Sequence, residues 1–288
     1  MGCRLADPHP MMGYADMLVG SLLAGGLALL AHRYRLLTVG GCAALLVAVV
    51  AVWALAGWVY GVPLVVSLLL SGLACRHAWA TKALLLGPSS PGAIGALSVL
   101  ARLAWPMMLA GFTSQGALPR MAAFAGTLAV VWADVWATEL GMLSRDRPRL
   151  LASGRPAIPG TPGAVSPLGL VAALGASGLN GFLLLLCANA QAAQAGLALS
   201  RTVQWLPLAS TAGGMTGVLT DSLLGGMAQA LYHCEECQTW SETSVHTCGR
   251  PATQVRGWAW MTNDAVNAVS GLVGASVALG TIRVLSLL

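Results

Sequence analysis

Charge is what this sequence has least of. Only 9% of its 288 residues are Asp, Glu, Lys or Arg, and Lys82 is the sole lysine. Soluble domains carry roughly a quarter of charged residues, so a water-exposed globular surface is excluded. No paired Asp-rich motif is present, which argues against a prenyltransferase, and none of the five histidines stands out as a catalytic base. No inverted repeat is visible, which leaves little support for a transporter of that construction. A cleavable export signal is missing too: Arg4, Asp7, Pro8, His9 and Pro10 precede the first apolar run with no A-x-A-like site after it. Met1-Gly2-Cys3 lacks the following Ser or Thr of a myristoylation signal. The first apolar stretch is therefore expected to be a retained helix, with Met11 or Met12 as alternative starts.

What is there is apolar. Hydrophobic residues make up 57% of the chain, with 35 glycines and a mean hydropathy of +0.74. Apolar windows of about 20 residues recur from end to end, the length that crosses a bilayer as a helix. We expect an all-α polytopic transmembrane bundle of seven or eight helices forming a single integral membrane domain over 1–288. The helices are placed at 14–31, 37–56, 58–75, 96–112, 121–141, 166–188, 207–231 and 263–286. The second and third are separated only by Gly57, Trp58 and Gly61-Val62-Pro63. With this layout Arg33, Arg35, Arg76, Lys82, Arg102, Arg145, Arg147, Arg149, Arg155, Arg250 and Arg256 fall on one face, and only Arg4, Arg120, Arg201 and Arg283 on the other. The positive-inside rule then puts the first set in the cytoplasm and the amino terminus outside. The net charge of +5 is a topology signal, and no nucleic-acid partner is implied.

Acids within such segments are costly and need a reason. Asp134, Thr138 and Gly141 share one helical face, whereas Glu139 is turned away by about 140° and sits near the interface. Asp134 serves either a site or a structural pairing with a neighbouring arginine. Gly213, Gly217, Asp221, Gly225 and Gln229 recur every four residues. This is a small-residue packing stripe with an acid in its middle, suited to Mg²⁺ or to a purely structural role. Trp132 and Trp136 suggest an aromatic belt.

A basic loop with Arg145, Arg147, Arg149 and Arg155 follows, able to grip phosphate oxygens or simply to mark the cytoplasmic side. Pro159-Gly160-Thr161-Pro162-Gly163 then leads to a helix start at Ser166-Pro167, an arrangement that can present N–H groups to a phosphate. Residues 232–258 form a cytoplasmic loop with Cys234-x-x-Cys237 and His246-x-Cys248, read as a structural zinc knuckle or as reduced, unmetallated thiols. Before the last helix, Thr262 or Asn263 can act as an N-cap. Asn263, Asn267 and Ser270 share a face, and Asp264 adds a carboxylate.

Four blocks occur in order: Ala133-Asp134-x-Trp136-Ala137-Thr138-Glu139-x-Gly141, Pro159-Gly160-Thr161-x-Gly163-x-Val165-Ser166, Asp221-Ser222-x-Leu224-Gly225-x-x-x-Gln229 and Asn263-Asp264-x-Val266-Asn267. With the weaker Leu36-Leu37-Thr38-x-Gly40-Gly41, they resemble the integral membrane family known as domain of unknown function 92, which includes transmembrane protein 19 and a plant phytyl-phosphate kinase. The resemblance implies a CTP- or UTP-dependent kinase converting a phytyl or geranylgeranyl monophosphate to the diphosphate at the cytoplasmic face of a prokaryotic inner membrane. It is similar in kind to the dolichol kinases and CDP-diacylglycerol synthases, so a membrane cytidylyltransferase is the alternative, and a small-molecule or ion transporter a further one. By this resemblance Asp134 and Asp221 hold Mg²⁺, and Glu139 and Asp264 are further candidate catalytic acids. Arg147, Arg149, Arg155, Gly160, Thr161, Gly163, Ser166, Gln229, Asn263, Asn267 and Lys82 are the nucleotide- or phosphate-binding candidates. Departures include Val135 in place of a common Thr, and an Arg76–Gly95 loop without the lysine-rich run of many members.

Overall fold

The computed structural model describes residues 14–86, 93–112, 117–198, 200–246 and 248–287. The start of the chain, with Cys3 and Arg4, and part of the 76–95 loop lie outside them. Nine helices run in the order α1 Tyr14–Arg33, α2 Val39–Ala56, α3 Trp58–Arg76, α4 Trp79–Leu86, α5 Ala96–Gly111, α6 Ala117–Gly141, α7 Pro167–Gln194, α8 Leu206–Met227 and α9 Asn263–Leu285 among the described residues. Six of them are long and apolar enough to cross a membrane, while α5 is a shorter apolar helix. The bundle is thus all-α, as expected, with α4 added. Gly57 divides α2 from α3: its φ of 78° is readily adopted by glycine, and its N–H bonds to the Trp53 carbonyl. The seven-helix alternative falls away.

Helix α6 is the hub, packed on α3, α5, α7, α8 and α9. Of its membrane window 67% is buried, against 17% for α1 at the edge. Close approach is achieved with small residues. A Cβ on Gly126 of α6 would strike the Gly274 carbonyl of α9, and one on Gly213 of α8 would come within 2.5 Å of the same oxygen. Asn180 of α7 donates to the Ala125 carbonyl (2.9 Å) and to Ser210 Oγ (3.0 Å), linking three helices through buried polar groups. Trp132 is fully buried and meets Trp136 edge-on at 5.7 Å, so it belongs to the core and not to an aromatic belt.

The seventh expected helix, α8, stops at Met227 and not at 231. Two consecutive glycines weaken its last turn, and the chain from Leu231 finds a better use in a sheet. Strand β3 (Leu231–Cys234) pairs antiparallel with β4 (Thr239–Ser241) and β5 (Thr253–Arg256). The 232–258 loop is therefore a small three-stranded unit at the end of the bundle. A two-residue ladder earlier in the chain, β1 (Arg149–Leu150) with β2 (Ala164–Val165), closes the basic loop into a hairpin.

Candidate functional site

The carboxyl ends of α6 and α8 and the amino ends of α5, α7 and α9 meet at one end of the bundle, where the polar residues gather. Arg102 of α5 places Nη2 3.8 Å from Asp134 Oδ2 of α6. Asp221 of α8 accepts a hydrogen bond from Ser270 Oγ of α9 at 3.3 Å and lies within electrostatic range of Asp134 and Arg102. Trp105 fixes α5 on α9 through a 2.7 Å bond from Nε1 to the Ala268 carbonyl, which sets where Arg102 stands.

The three-stranded unit adds a fourth acid. Glu242, just beyond β4, accepts from Nε2 of the buried Gln229 at 3.3 Å and senses Arg102, Asp134 and Asp264. Although Glu242 is exposed as a residue, burial of its carboxyl raises its pKa from the ordinary glutamate value, while Gln229 and Arg102 oppose the shift. Gln229 itself lies beyond the end of α8, so it does not continue the helical stripe. It reaches the cluster by another route, as the seat of Glu242. Arg256 of β5 donates from Nη2 to the Gly225 carbonyl at 2.8 Å, covering the last turn of α8.

Four carboxylates, Asp134, Asp221, Glu242 and Asp264, thus share a neighbourhood with the guanidinium of Arg102, whose buried Nε has no hydrogen-bond partner among the described residues. Carboxylates gathered in this way are balanced either by protons or by a bound cation. The carboxylates do not converge tightly: among the described residues, the only three or more ligating side chains that do are the cysteines and histidine discussed below. Mg²⁺ fits this spread set, because it takes one or two protein carboxylates and leaves its other positions to water and phosphate.

Other candidates fall elsewhere. Lys82 is buried and its ammonium bonds to Glu139 at 2.5 Å, to the Ala74 carbonyl at 2.8 Å and to the Cys75 carbonyl at 3.0 Å. This joins α4 and the end of α3 to α6, so Lys82 and Glu139 are engaged with each other and not with the acids. Arg145, Arg147, Arg149 and Arg155 are exposed. Arg145 and Arg147 line an open cavity of about 460 Å³ with Gly141, Ser144, Asp146 and Pro156–Pro159, and Asp134 and Asp221 are not part of it. Gly163, at φ 84°, is pressed against the Gly226 backbone and the Ser222 carbonyl of α8, which brings the Pro/Gly turn beside Asp221. Within that turn, the Thr161 N–H bonds to the Ile158 carbonyl and the Ala164 N–H to the Thr161 carbonyl. Gly160 is exposed at φ 84°. Ser166 caps α7, accepting from the Gly169 N–H and donating to the Gly141 carbonyl at 3.0 Å. Thr262 is the cap of α9, and Asn267 donates to the Asn263 carbonyl at 2.9 Å.

Sequence reasoning missed Arg102, Glu242 and Arg256 as site neighbours. An arginine six residues inside an apolar helix was itself a signal. Glu242 has none beyond the scarcity of acids, of which the chain has ten.

Cys234, Cys237, His246 and Cys248 offer ligand atoms that all lie within 4.8 Å of one another. His246 lowers the Cys248 thiol to about 6 by hydrogen bonding, and a bond with Cys248 raises Cys237 to about 11.

No solved structure matches this chain. Over 140 residues it is 33% identical to Protein PGR of Arabidopsis thaliana, a match covering 49% of this chain and 47% of that protein. The chain thus spans about half the length of this curated relative. The family model described as Integral membrane protein DUF92 matches residues 22–275, nearly the whole bundle and its acids. The chain belongs to the DUF92 family of integral membrane proteins.

Proposed function

We propose that this protein is a membrane-embedded kinase that moves the γ-phosphoryl group of CTP or UTP onto a phytyl or geranylgeranyl monophosphate. The observation that carries the reading is the excess of carboxylate over guanidinium at one end of an apolar bundle. Such a site suits a metal–phosphate substrate, while lipid-facing helices accommodate a prenyl tail. Asp134 and Asp221 hold Mg²⁺, which when bound neutralises phosphate charge. Ser270 orients the Asp221 carboxylate, and Arg102 restrains Asp134 while retaining N–H groups to offer a phosphate oxygen. An oxygen of the prenyl phosphate attacks the γ-phosphorus, the bond to the β–γ bridging oxygen breaks, and prenyl diphosphate and the nucleoside diphosphate leave. The acceptor is already anionic, so positioning and charge carry the reaction and no strong base is needed. In orientation, we place the acid end at the cytoplasmic face of a prokaryotic inner membrane, with the amino terminus outside.

The test is substitution with product analysis. Asp134→Asn and Asp221→Asn should each reduce Mg²⁺-dependent turnover by about 10³-fold or more with helical content unchanged. Turnover unaffected in both would remove the mechanism. Release of pyrophosphate with a nucleotidyl-lipid product would instead establish a cytidylyltransferase.

A further inference from the structure

We propose that Cys234, Cys237, His246 and Cys248 bind one zinc ion, and that this ion fixes the loop that carries Glu242 to the acids. The second half rests on the phosphoryl-transfer reading above; the first does not.

The donor set is three thiols and an imidazole at the end of β3 and in the turns that follow it. Sγ of Cys234 lies 3.8 Å from Sγ of Cys248, and Nδ1 of His246 lies 3.2 Å from the same sulfur. A tetrahedral zinc with Zn–S bonds of about 2.3 Å separates two sulfurs by about 3.8 Å, so the cluster already has the required edge length. No disulfide joins the sulfurs: Cys234, Cys237 and Cys248 are all free thiols. The outer ring nitrogen is placed as well: Nε2 of His246 lies 3.2 Å from Thr239 Oγ1. In the tautomer whose Nε2–H donates to Thr239, Nδ1 carries its lone pair on the side of Cys248, whose backbone nitrogen lies 3.5 Å from it and whose sulfur lies 3.2 Å away, the usual support for a ligating histidine. Four protein ligands leave no open position, which makes the ion structural.

The loop needs such a staple. Ser241–Val245 are half-buried or exposed: beyond the ladder pair of Ser241 with Tyr232, they are held by the Gln229–Glu242 bond, by the Ala252 N–H to the Ser244 carbonyl (2.8 Å) with the adjoining Val245–Pro251 bridge, and by short-range hydroxyl bonds of Ser241 and Thr243. An apolar core is absent from this stretch, and small units without one depend on a metal or crosslinks. Glu242 stands between the second and third ligands, so the ion clamps both ends of the segment that presents it.

Purification in detergent with a reductant, followed by elemental analysis, should find one zinc per chain, lost in Cys237→Ser and in Cys248→Ser. Cobalt exchanged into the wild-type protein should give the strong visible bands of a tetrahedral thiolate site. Lack of zinc together with a weak octahedral cobalt spectrum overturns the centre, whatever the variants do. For the link to Glu242, Mn²⁺ binding is followed by electron paramagnetic resonance. Cys237→Ser, with helical content intact, should weaken it about tenfold, and Glu242→Gln by a similar factor. Equal Mn²⁺ affinity in wild type and Cys237→Ser overturns the link while the zinc centre stands. Failure of the wild type itself to bind Mn²⁺ overturns both the link and the phosphoryl-transfer reading, again without touching the zinc result.

Discussion

Two carboxylates with different partners show how residue surroundings divide structural from chemical acids in this chain. Glu139 is matched by one lysine that is itself saturated by two carbonyls. Lys82→Met leaves Glu139 facing a vanished charge and should destabilise the protein by about 1–3 kcal/mol, a range set below that of fully buried pairs because Glu139 retains some solvent contact. Lys82→Met combined with Glu139→Gln should recover part of that loss in a thermal melt. Additive losses would show that the pair is uncoupled. Glu242 is the opposite case, an acid whose pKa is raised by the protein around it. Its folded form holds the proton more tightly than the unfolded chain, so its contribution to stability is full below the unfolded value and fades as pH rises through the folded one. Glu242→Gln should therefore raise the melting temperature at neutral pH and change it little at acid pH. A uniform shift at both would contradict the assignment.

Among elements, the hairpin between α6 and α7 is held on α8 by close backbone contact, and Arg149 braces it internally by donating from Nη1 to the Gly154 carbonyl at 2.9 Å. Gly163 combines a left-handed backbone with a seat against α8 that has no room for a methyl group. Gly163→Ala should cost about 1–3 kcal/mol and detach the turn from the end of α8, lowering the melting temperature. A melting temperature within experimental error of wild type would show that the turn yields. Helices were legible because apolar runs of spanning length admit little else, and seven of the eight expected segments keep their ends within a few residues. The exception is α7, which runs on to Gln194, six residues past the expected end. The end of α8 was misread because Ala228–Leu231 continues the apolar pattern, and only the partners β4 and β5, distant in sequence, turn Leu231 onward into strand. Asp134 and Asp221 were legible as acids at expensive positions, as was Glu139, while Asp264 was legible only as a carboxylate at the start of the last helix. Arg102 was hidden by being counted as a topology charge, and Glu242 by lying in a polar loop, where an acid carries no local signal. Glu242 is seated by its bond from Gln229, a pairing that sequence spacing does not reveal.

At the scale of the molecule, the short connections and the charged groups divide unequally. The basic hairpin, the three-stranded unit and all four clustered acids occupy one end, whereas Arg120 is buried near the other, beneath the Phe112 carbonyl and over the Tyr60 ring. One-sidedness suits an enzyme that meets a soluble nucleotide on one surface and a lipid from within the bilayer, and it does not suit alternating access. We propose that this end transfers phosphate to a prenyl phosphate. Purified protein incubated with Mg²⁺, geranylgeranyl or phytyl monophosphate and γ-labelled CTP or UTP tests it most directly. The account predicts label in the prenyl diphosphate, dependent on Mg²⁺; a folded, zinc-loaded protein that transfers no label from either nucleotide to either lipid would contradict it.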